Sequence, residues 1–485
     1  MRTSKISWKV ILRLLGILLV IEGLFMLTPL PFAFYYQERW IYLVVSALTA
    51  LVSGGLLMLS TRGYDPRNIG KREGYIVVSF AWMVISLFGS FPFYISGYIP
   101  SFTDAIFETA SGFSTTGATI LTDIEALPKA LLFWRSMTHW IGGMGIIVLS
   151  LAILPFLGIG GMQLFIAEVP GPTKDKLHPR IAETAKRLWG IYFILTLIQT
   201  SLLMFGGMDL FDGLCHAFGT MATGGFSTRN DSIASFSPYI QYVIIVFMIL
   251  AGTNFTLHYM AVSGAFASVT RNDEFRYYMA IIGIITLVVS VSLFLDGMFG
   301  PEASFRHALF QTVSIVTTTG FITSDYLIWP DFAWFLIFLA MFTGGSAGST
   351  GGGIKMIRHF LLVKNSFLEM KRLIHPQGVI PVRINGRPVS QGIIFNVLAF
   401  FLIYLLIFAS GSMVMALLGL DFDTAIGATA ACLGNIGPGI GKVGPVGNFA
   451  FIPDFGKWFL SFLMILGRLE LFTVLILFSR AFWRN

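Results

Sequence analysis

The 485-residue sequence has few charged residues. Asp, Glu, Lys and Arg make up 12% of it, whereas hydrophobic residues make up 55%. Soluble domains carry about 25% charged residues, so this composition excludes an ordinary soluble protein and predicts a polytopic protein of the lipid membrane. The net charge of +7 would by itself fit a nucleic-acid partner. We expect none, because the charges follow a membrane topology instead.

Cysteine is scarce, and familiar catalytic motifs are absent. The only two cysteines, Cys215 and Cys432, lie among apolar or small neighbours. One disulfide is conceivable, but buried free thiols are the favoured interpretation. The sequence has no HExxH motif, no nucleophile elbow and no Walker-type loop, and Ile354 separates Gly353 from Lys355 where a Walker motif needs GK[ST]. We therefore expect no enzymatic activity.

Long apolar stretches are abundant. A membrane-spanning helix needs about 20 apolar residues, and ten stretches qualify, some broken by glycine: 10–30, 40–60, 75–97, 130–158, 186–206, 237–267, 277–296, 331–362, 391–417 and 455–480. Lys and Arg are concentrated in alternate connectors and near both ends of the chain. The positive-inside rule predicts that these connectors and both termini are cytoplasmic. The first stretch lacks a following cleavage site, so we interpret it as a retained helix.

The connectors on the other side of the membrane are acidic. They hold 14 Asp or Glu and only three basic residues, and their ranges are 98–128, 206–236, 296–331 and 418–455. Each is about 31–38 residues long, too long for a simple hairpin loop. Each contains an apolar piece of about ten residues, which is too short to span and is typical of a re-entrant segment.

An ungapped alignment of these connectors reveals a fourfold internal repeat. One glycine occupies the same column each time: Gly117, Gly225, Gly320 and Gly437. Thirteen residues earlier come Asp104, Asp212, His307 and Thr424. Each unit reads helix, short re-entrant helix, Gly-containing extended strand, helix, always in the same direction. We expect an all-α membrane protein with two N-terminal helices (1–72) and four pseudo-fourfold helix–pore loop–helix repeats (73–178, 179–272, 273–374 and 375–485).

Irregular polar backbone at membrane depth is tolerated only where it is buried in protein or lines a water-filled path. Four parallel copies can place four strands around one axis, which is the arrangement of a selectivity filter whose carbonyls replace the hydration shell of a cation. Glycine permits the backbone angles that such a strand needs. The C-terminal ends of the re-entrant helices and the 14 acids would add an attractive potential. The alternative is four polar outer loops with glycine turns.

A second glycine-rich stretch, 342–355, lies in the middle of the eighth apolar stretch. It has six glycines among the ten residues 344–353, and each costs a helix about 1 kcal/mol relative to alanine. We therefore expect this span to be broken by a mobile loop. The alternative is a small-residue face for helix packing.

The four strands make the sequence resemble the TrkH/KtrB potassium transporters, in which one chain mimics a potassium-channel tetramer. The resemblance covers about 75–480, and the two extra N-terminal helices resemble the TrkH branch. It implies potassium uptake through a filter, with potassium ions held at Thr115, Thr116, Gly117, Thr223, Gly224, Gly225, Thr318, Thr319, Gly320, Asn435, Ile436 and Gly437. Serine in the first column goes with sodium transport in plant relatives, so Gly117 favours potassium. The fourth strand departs from the Thr-rich pattern, so we expect only modest discrimination against sodium.

The resemblance also implies that the glycine-rich loop lies under the filter and closes the pore. The implied gating residues are Gly344, Gly345, Ser346, Gly348, Ser349, Gly351, Gly352, Gly353 and Arg468. We hypothesise that Arg468 hydrogen-bonds carbonyls of the loop and adds a positive barrier; the alternative is an anchor in helix packing. Arg468 and Glu470 are two positions apart in the last apolar stretch, so we do not expect them to pair with each other.

The remaining expectations concern partners and minor sites. The resemblance implies a homodimer in the bacterial cytoplasmic (inner) membrane and a separate cytosolic TrkA-like ring that binds NAD(H) or ATP, with no organic cofactor on this chain. The alternative function is an alternating-access symporter coupled to protons or sodium, which would need inverted repeats or moving bundles. We interpret Glu22 as a packing or interfacial group, His216 and His307 as structural groups, and Lys442 as a surface lysine.

Overall fold

The computed structural model describes residues 6–64, 70–148 and 177–484. The helices in this part of the chain are Trp8–Phe25, Leu30–Tyr35, Ile41–Ser60, Lys71–Gly89, Phe91–Ser96, Phe102–Phe113, Lys129–Val148, Leu177–Phe205, Leu210–Met221, Pro238–Ala251, Phe255–Val262, Phe266–Thr270, Asp273–Leu295, Pro301–Val316, Asp331–Ala340, Met356–Ile374, Gln391–Leu417, Phe422–Leu433, Asp454–Arg468, Phe472–Leu475 and Arg480–Trp483. The described strands are Arg383–Ile384 and Arg387–Pro388, which form an antiparallel hairpin pairing Ile384 with Arg387. The prediction of an all-α membrane protein is confirmed.

Six helices in the described ranges are long and apolar enough to cross a membrane: Trp8–Tyr35, Ile41–Ser60, Lys71–Ser96, Glu183–Phe205, Asp273–Leu295 and Gln391–Leu417. If each of two bent helix pairs is counted as one span, the number rises to eight. The other two predicted spans are the stretch 331–362, which is broken, and the helix Lys129–Val148, whose expected continuation to 158 lies outside the described residues.

Three of the predicted spans are interrupted. The break after Ala340 is the one that the glycines predict. The sixth span bends by 99° after Ala251, and the tenth bends by 109° after Arg468. The treatment of Arg468 and Glu470 as parts of one helix is therefore wrong: the helix ends at Arg468, and Glu470 has a φ of 59°. The glycine-rich loop forms the first break and makes buried hydrogen bonds with the chain at the two bends.

The N-terminal helix pair packs through small residues. A Cβ on Gly16 would lie 2.9 Å from the Gly54 carbonyl oxygen, and a Cβ on Gly54 would lie 2.6 Å from the Gly16 carbonyl oxygen. The two backbones approach this closely only because both positions are glycine, in the manner of small-residue packing in membranes. The pair then packs against Lys71–Gly89, beside the first repeat.

The four re-entrant helices form the centre of the molecule. Three of them have 12 residues and begin with a side chain, from Ser101, Asp209 or Asp421, that accepts a hydrogen bond from the backbone three residues on. The third re-entrant helix is one turn longer and begins at Pro301, a residue favoured in the first turn. A 12-residue helix is about 18 Å long, so these helices cannot cross the bilayer. Their C-terminal halves are buried almost completely.

Candidate functional site

The four re-entrant helices end in the same way. Each ends four residues before the aligned glycine: at Phe113, Met221, Val316 and Leu433. The backbone N–H one residue before the glycine then donates to the carbonyl six residues before it: Thr116 to Ser111 at 2.9 Å, Gly224 to Gly219 at 2.8 Å, Thr319 to Ser314 at 2.8 Å and Ile436 to Ala431 at 2.9 Å. This is the six-to-one bond of a Schellman helix end. It anchors each extended strand to its own helix.

The strands that follow have an unusual alternation of backbone angles. The residue two before each glycine has a positive φ: 52° at Thr115, 54° at Thr223, 61° at Thr318 and 54° at Asn435. The four glycines have φ values of 83°, 80°, 83° and 97°, in chain order. A positive φ at a β-branched residue is a genuine outlier, and such strain persists only where the surroundings enforce it, often at functional sites. Alternating handedness also turns successive peptide groups to the same side of the strand.

The four strands close into a ring. A Cβ on Gly117 would overlap the carbonyl oxygen of Gly224, one on Gly225 would overlap that of Thr319, and one on Gly320 would overlap that of Ile436. A Cβ on Gly437 would lie 2.7 Å from the carbonyl oxygen of Thr116, which returns to the first strand. Each glycine thus packs against the backbone of the next repeat. We call these four strands, 115–117, 223–225, 318–320 and 435–437, the strand ring.

The strand ring has a further glycine, Gly224, which lacks a side chain for a different reason. Gly224 has no positive φ, but a Cβ there would overlap Nδ1 of His139. The aligned positions carry side chains: Thr116, Thr319 and Ile436. In the second repeat, the imidazole of His139 therefore fills the space that a side chain occupies in the other three.

One end of the strand ring opens into a cavity of about 180 Å³. All four aligned glycines line it, together with Arg135 and Arg229. Both arginines are paired with carboxylates: Arg135 with Glu108 at 2.6 Å and Arg229 with Asp212 at 3.6 Å. The outer segments therefore present a cavity in which neither arginine is an isolated cation.

The expectation that all 14 acids of the outer segments attract cations is wrong in part. Glu108 is fully buried and bonded to Arg135, and Asp104 is bonded to Lys457 at 2.5 Å. Other acids do remain exposed. A hydrogen bond from the Thr424 hydroxyl lowers the pKa of the Asp421 carboxyl below its ordinary value, so this group stays ionised at the outer end even in mildly acidic conditions.

The glycine-rich loop covers the opposite end of the strand ring. Gly352 N donates to Thr318 Oγ1 at 2.6 Å, and Thr350 Oγ1 donates to the Met221 carbonyl at 2.9 Å. A Cβ on Gly351 would lie 3.0 Å from the Thr317 carbonyl oxygen. The loop thus touches the inner ends of the second and third repeats directly.

The fourth repeat contacts the same loop. A Cβ on Gly352 would lie 2.7 Å from the Asn435 Cβ, and a Cβ on Gly344 would overlap the Gly352 carbonyl oxygen where the loop doubles back. A bulkier residue at position 352 would push the loop away from the ring, and one at position 344 would force apart the two segments of the loop that pack together. The alternative of a small-residue helix face is excluded, because residues 342–355 are not helical.

The break in the sixth span holds the loop in place. Ser346 N donates to the Gly252 carbonyl at 2.8 Å, and Phe255 N donates to the Gly348 carbonyl at 3.1 Å. Ser349 Oγ and Met356 N close the loop through the carbonyls of Ser346 and Gly345. A broken helix leaves backbone groups that must be paired inside a membrane, and here the loop supplies the partners.

Arg468 and Lys355 both donate hydrogen bonds to carbonyl groups of the loop. Arg468 Nη1 donates to the Thr350 carbonyl at 2.6 Å, and Lys355 Nζ donates to the Gly351 carbonyl. The hydrogen bond that we hypothesised for Arg468 is present. Glu470 pairs with Arg358, in the helix that follows the loop, and not with Arg468. Lys355 and Arg468 therefore place two positive groups near the inner end of the strand ring.

Comparison with known proteins identifies the family. A family model described as cation transport protein, TrkH, matches residues 45–484. The chain belongs to the TrkH family of cation transport proteins.

The similarity to known relatives extends over almost the whole chain. The chain is 41% identical to the Trk system potassium uptake protein TrkH of Halomonas elongata, over 99% of this chain and 100% of the relative. It is 40% identical to the TrkH protein of Escherichia coli strain K12, with the same coverage. The crystal structure of the potassium transporter TrkH from Vibrio parahaemolyticus matches with a TM-score of 0.91 and 39% identity, over 99% of this chain and 100% of that one. The resemblance read from the sequence is confirmed.

The minor residues fall mostly where they were expected. His216 is buried and bonded to the Asp212 carbonyl at 2.7 Å and to Ser227 Oγ at 2.9 Å. His307 bonds Thr323 Oγ1 at 3.0 Å, and Lys442 is an exposed lysine 3.3 Å from Asp421. Both cysteines are buried free thiols.

Glu22 is a packing group rather than an interfacial one. It is 4% exposed, and its carboxylate oxygens have no hydrogen-bond partner in the described part of the chain. It lies close to Gly89, where a Cβ would be 3.0 Å from Glu22 Oε1. The N-terminal helix pair thus buries a carboxyl group against the first repeat.

The sequence pattern alone did not reveal most of the residues that support the strand ring from behind, although His216 was expected to be a structural group. Glu108, His216, Gln311 and Ala428 share one alignment column, nine residues before the glycine, and the first three bond to residues that follow their own strand. His139 and Arg135 lie on the helix after the first strand, four positions apart and therefore on one helix face. That spacing of two polar residues in an apolar helix was the available signal.

Proposed function

We propose that this chain is the membrane subunit of a Trk-type potassium uptake system and conducts potassium through the strand ring. The single observation that carries the proposal is the closed ring of four strands with alternating left-handed residues. Four equivalent backbone segments around one axis can replace the water ligands of a dehydrated cation with carbonyl oxygens. The names of the relatives, all potassium uptake proteins, support potassium as the ion.

The surroundings of the strand ring favour a cation. Four helix C-termini point at it, and each carries a partial negative charge of about half an elementary unit. Thr115 Oγ1 and Asn435 Oδ1 are buried and have no hydrogen-bond partner in the described residues. Unpaired buried oxygens are costly, and a passing cation or its water would pair them. The proposed ion ligands are the backbone and side-chain oxygens of the twelve strand-ring residues.

The same proposal assigns the closed state to the glycine-rich loop. Residues 344–353 cover the inner end of the ring, and Arg468 and Lys355 hold loop carbonyls there. A cation leaving the ring would meet both the loop and these two positive groups. Opening then consists of breaking the Arg468–Thr350 and Gly352–Thr318 bonds and moving the loop aside.

The fourth strand supports modest discrimination against sodium. Asn435 replaces the threonine that the other three strands carry at its position, and Ile436 replaces the threonine of the first and third strands. Asn435 Nδ2 donates to Thr116 Oγ1 at 3.0 Å. The fourth strand therefore contributes no hydroxyl group to the ring. A ring with unequal quadrants coordinates a potassium-sized ion less uniformly, so we propose that sodium is excluded only in part.

The assembly belongs to the proposal as well. We propose a homodimer in the bacterial cytoplasmic membrane, as the family resemblance implies. The charge of the connectors supports only the topology, with both termini cytoplasmic. A pore without control would collapse the membrane potential. We therefore propose a separate cytosolic TrkA-like ring, which binds NAD(H) or ATP and acts on the loop, with no organic cofactor on this chain.

Uptake of ions into liposomes that hold the purified full-length chain tests the proposed function. Rubidium, potassium, sodium and lithium are compared, each driven by its own gradient. We expect passive flux with rubidium and potassium fastest and sodium slower but measurable. Flux that requires a second ion gradient, of protons or sodium, would instead establish a coupled carrier and refute the passive filter.

A further inference from the structure

A buried ion pair lies behind the strand ring, at the junction of the first two strands. Arg135 Nε donates to Glu108 Oε1 at 2.6 Å, and the two side chains are 2% and 0% exposed. Glu108 lies on the first re-entrant helix, and Arg135 lies on the helix Lys129–Val148. Neither residue is among the proposed ion ligands or the gating residues.

Glu108 fixes the outer end of the first strand. Its carboxylate accepts hydrogen bonds from Thr119 Oγ1 at 2.9 and 3.0 Å and from Ile120 N at 3.0 Å. Thr119 and Ile120 follow Gly117 by two and three residues. Both carboxylate oxygens are therefore used, and the strand cannot move outward without breaking bonds to a buried charge.

Arg135 carries the connection to the second strand. Its Nη1 donates to the Ser227 carbonyl at 3.0 Å, and its guanidinium carbon lies 3.5 Å from the centroid of the Phe226 ring. Phe226 and Ser227 follow Gly225 directly. One planar guanidinium thus joins the two strands through fixed, divergent donors, a geometry that a lysine ammonium cannot reproduce.

The other repeats lack this connection. At the position of Glu108, the second repeat has His216, which bonds Ser227 Oγ, and the third has Gln311, which donates to the Ser324 carbonyl at 3.1 Å. The fourth has Ala428, whose side chain has no polar atom. In the described residues of this column, the first repeat alone uses a charged pair, and that pair alone hydrogen-bonds to the neighbouring strand. His216 reaches its neighbouring strand only through a ring contact, with 6.0 Å between its centroid and that of Phe321.

We propose that Glu108 and Arg135 are a positioning pair that fixes the spacing of the first two strands and thereby determines how strongly the ring discriminates against sodium. The proposal rests on the proposed function. A buried ion pair is poor evidence for stability but fixes geometry well. Sodium is smaller than potassium, so a ring that can contract around it admits it. Loosening this junction is therefore expected to let sodium through.

The experiment replaces the arginine side chain with a lysine side chain, which has the same charge. In liposomes that hold the full chain, the sodium-to-rubidium uptake ratio is compared for wild type, Arg135→Lys and the control Lys457→Arg. Lys457 is also buried and ion-paired, with Asp104 at 2.5 Å, but it does not contact the strand ring. We expect Arg135→Lys to raise the ratio about fivefold, because a single ammonium cannot hold both strands, and Lys457→Arg to leave the ratio unchanged.

A second variant keeps the test decisive if Arg135→Lys does not fold. Thr119→Val removes the hydroxyl that donates to Glu108 but keeps the ion pair, and it should raise the ratio in the same direction by a smaller factor. A pair with a merely structural role would lower the melting temperature of Arg135→Lys without changing the ratio. That result would overturn the proposal. An unchanged sodium-to-rubidium ratio in Thr119→Val would overturn it as well, even if Arg135→Lys could not be measured. Absence of passive rubidium flux in wild type would instead refute the proposed function.

Discussion

Gly320→Ala is expected to lower ion flux about 100-fold. The new Cβ would lie 2.0 Å from the Ile436 carbonyl oxygen, and the residue would have to keep a φ of 83°. Both effects displace a carbonyl that the proposed filter uses. A misfit of about 2.7 kcal/mol at the ion's path corresponds to a roughly 100-fold lower rate. The measurement is passive rubidium uptake into liposomes.

Gly283→Ala is the matched control. Gly283 lies in the preceding helix of the same repeat, and a Cβ there would meet no atom within 4 Å. This substitution should leave uptake unchanged and, if anything, stabilise the helix slightly. If Gly320→Ala folded normally and still conducted rubidium at the wild-type rate, the strand ring would not be the ion path.

Arg468→Ala is expected to raise passive flux about tenfold. The substitution removes the hydrogen bond from Nη1 to the Thr350 carbonyl. A hydrogen bond to a charged group contributes about 1.5–3 kcal/mol, which is enough to shift a closed loop toward an open one by about a factor of ten. The loss of a positive charge below the ring acts in the same direction. Rubidium leak through the chain without any partner protein is the readout.

Arg468→Lys separates the gate from a simple anchor. Lysine keeps the charge and can still donate one hydrogen bond to Thr350, so its leak should lie between those of wild type and alanine. If Arg468 only anchors helix packing, Arg468→Ala should lower the melting temperature while flux stays at the wild-type level. That combination would reject the gating role.

The architecture was largely predictable because repetition amplifies weak signals. A single glycine in a loop says little, but the same column in four copies defined the strand ring at Gly117, Gly225, Gly320 and Gly437. The loop at 344–353 was predictable because six glycines cannot maintain a helix. Both features depend on local backbone chemistry, which the sequence carries directly.

The supporting contacts were not predictable because they join distant parts of the chain. The pair of Glu108 with Arg135 connects residues on different helices, and nothing in the spacing of one chain specifies a partner 27 positions away. Gly224 remains a proposed filter residue, but its own repeat gave no sign that the missing side chain makes room for the imidazole of His139. The bend after Ala251 coincides with Gly252 and with Asn254, whose side chain caps the next helix. That short pattern does not specify the loop that packs against the bend.

The position at which the ion binds tests the proposed filter without any assumption about transport rates. A crystal structure of the full-length chain grown with rubidium would show anomalous scattering where the ion binds. We expect density on the axis of the strand ring, surrounded by the carbonyl oxygens of Thr116, Gly224, Thr319 and Ile436. Rubidium bound only elsewhere, with an empty ring axis, would contradict it.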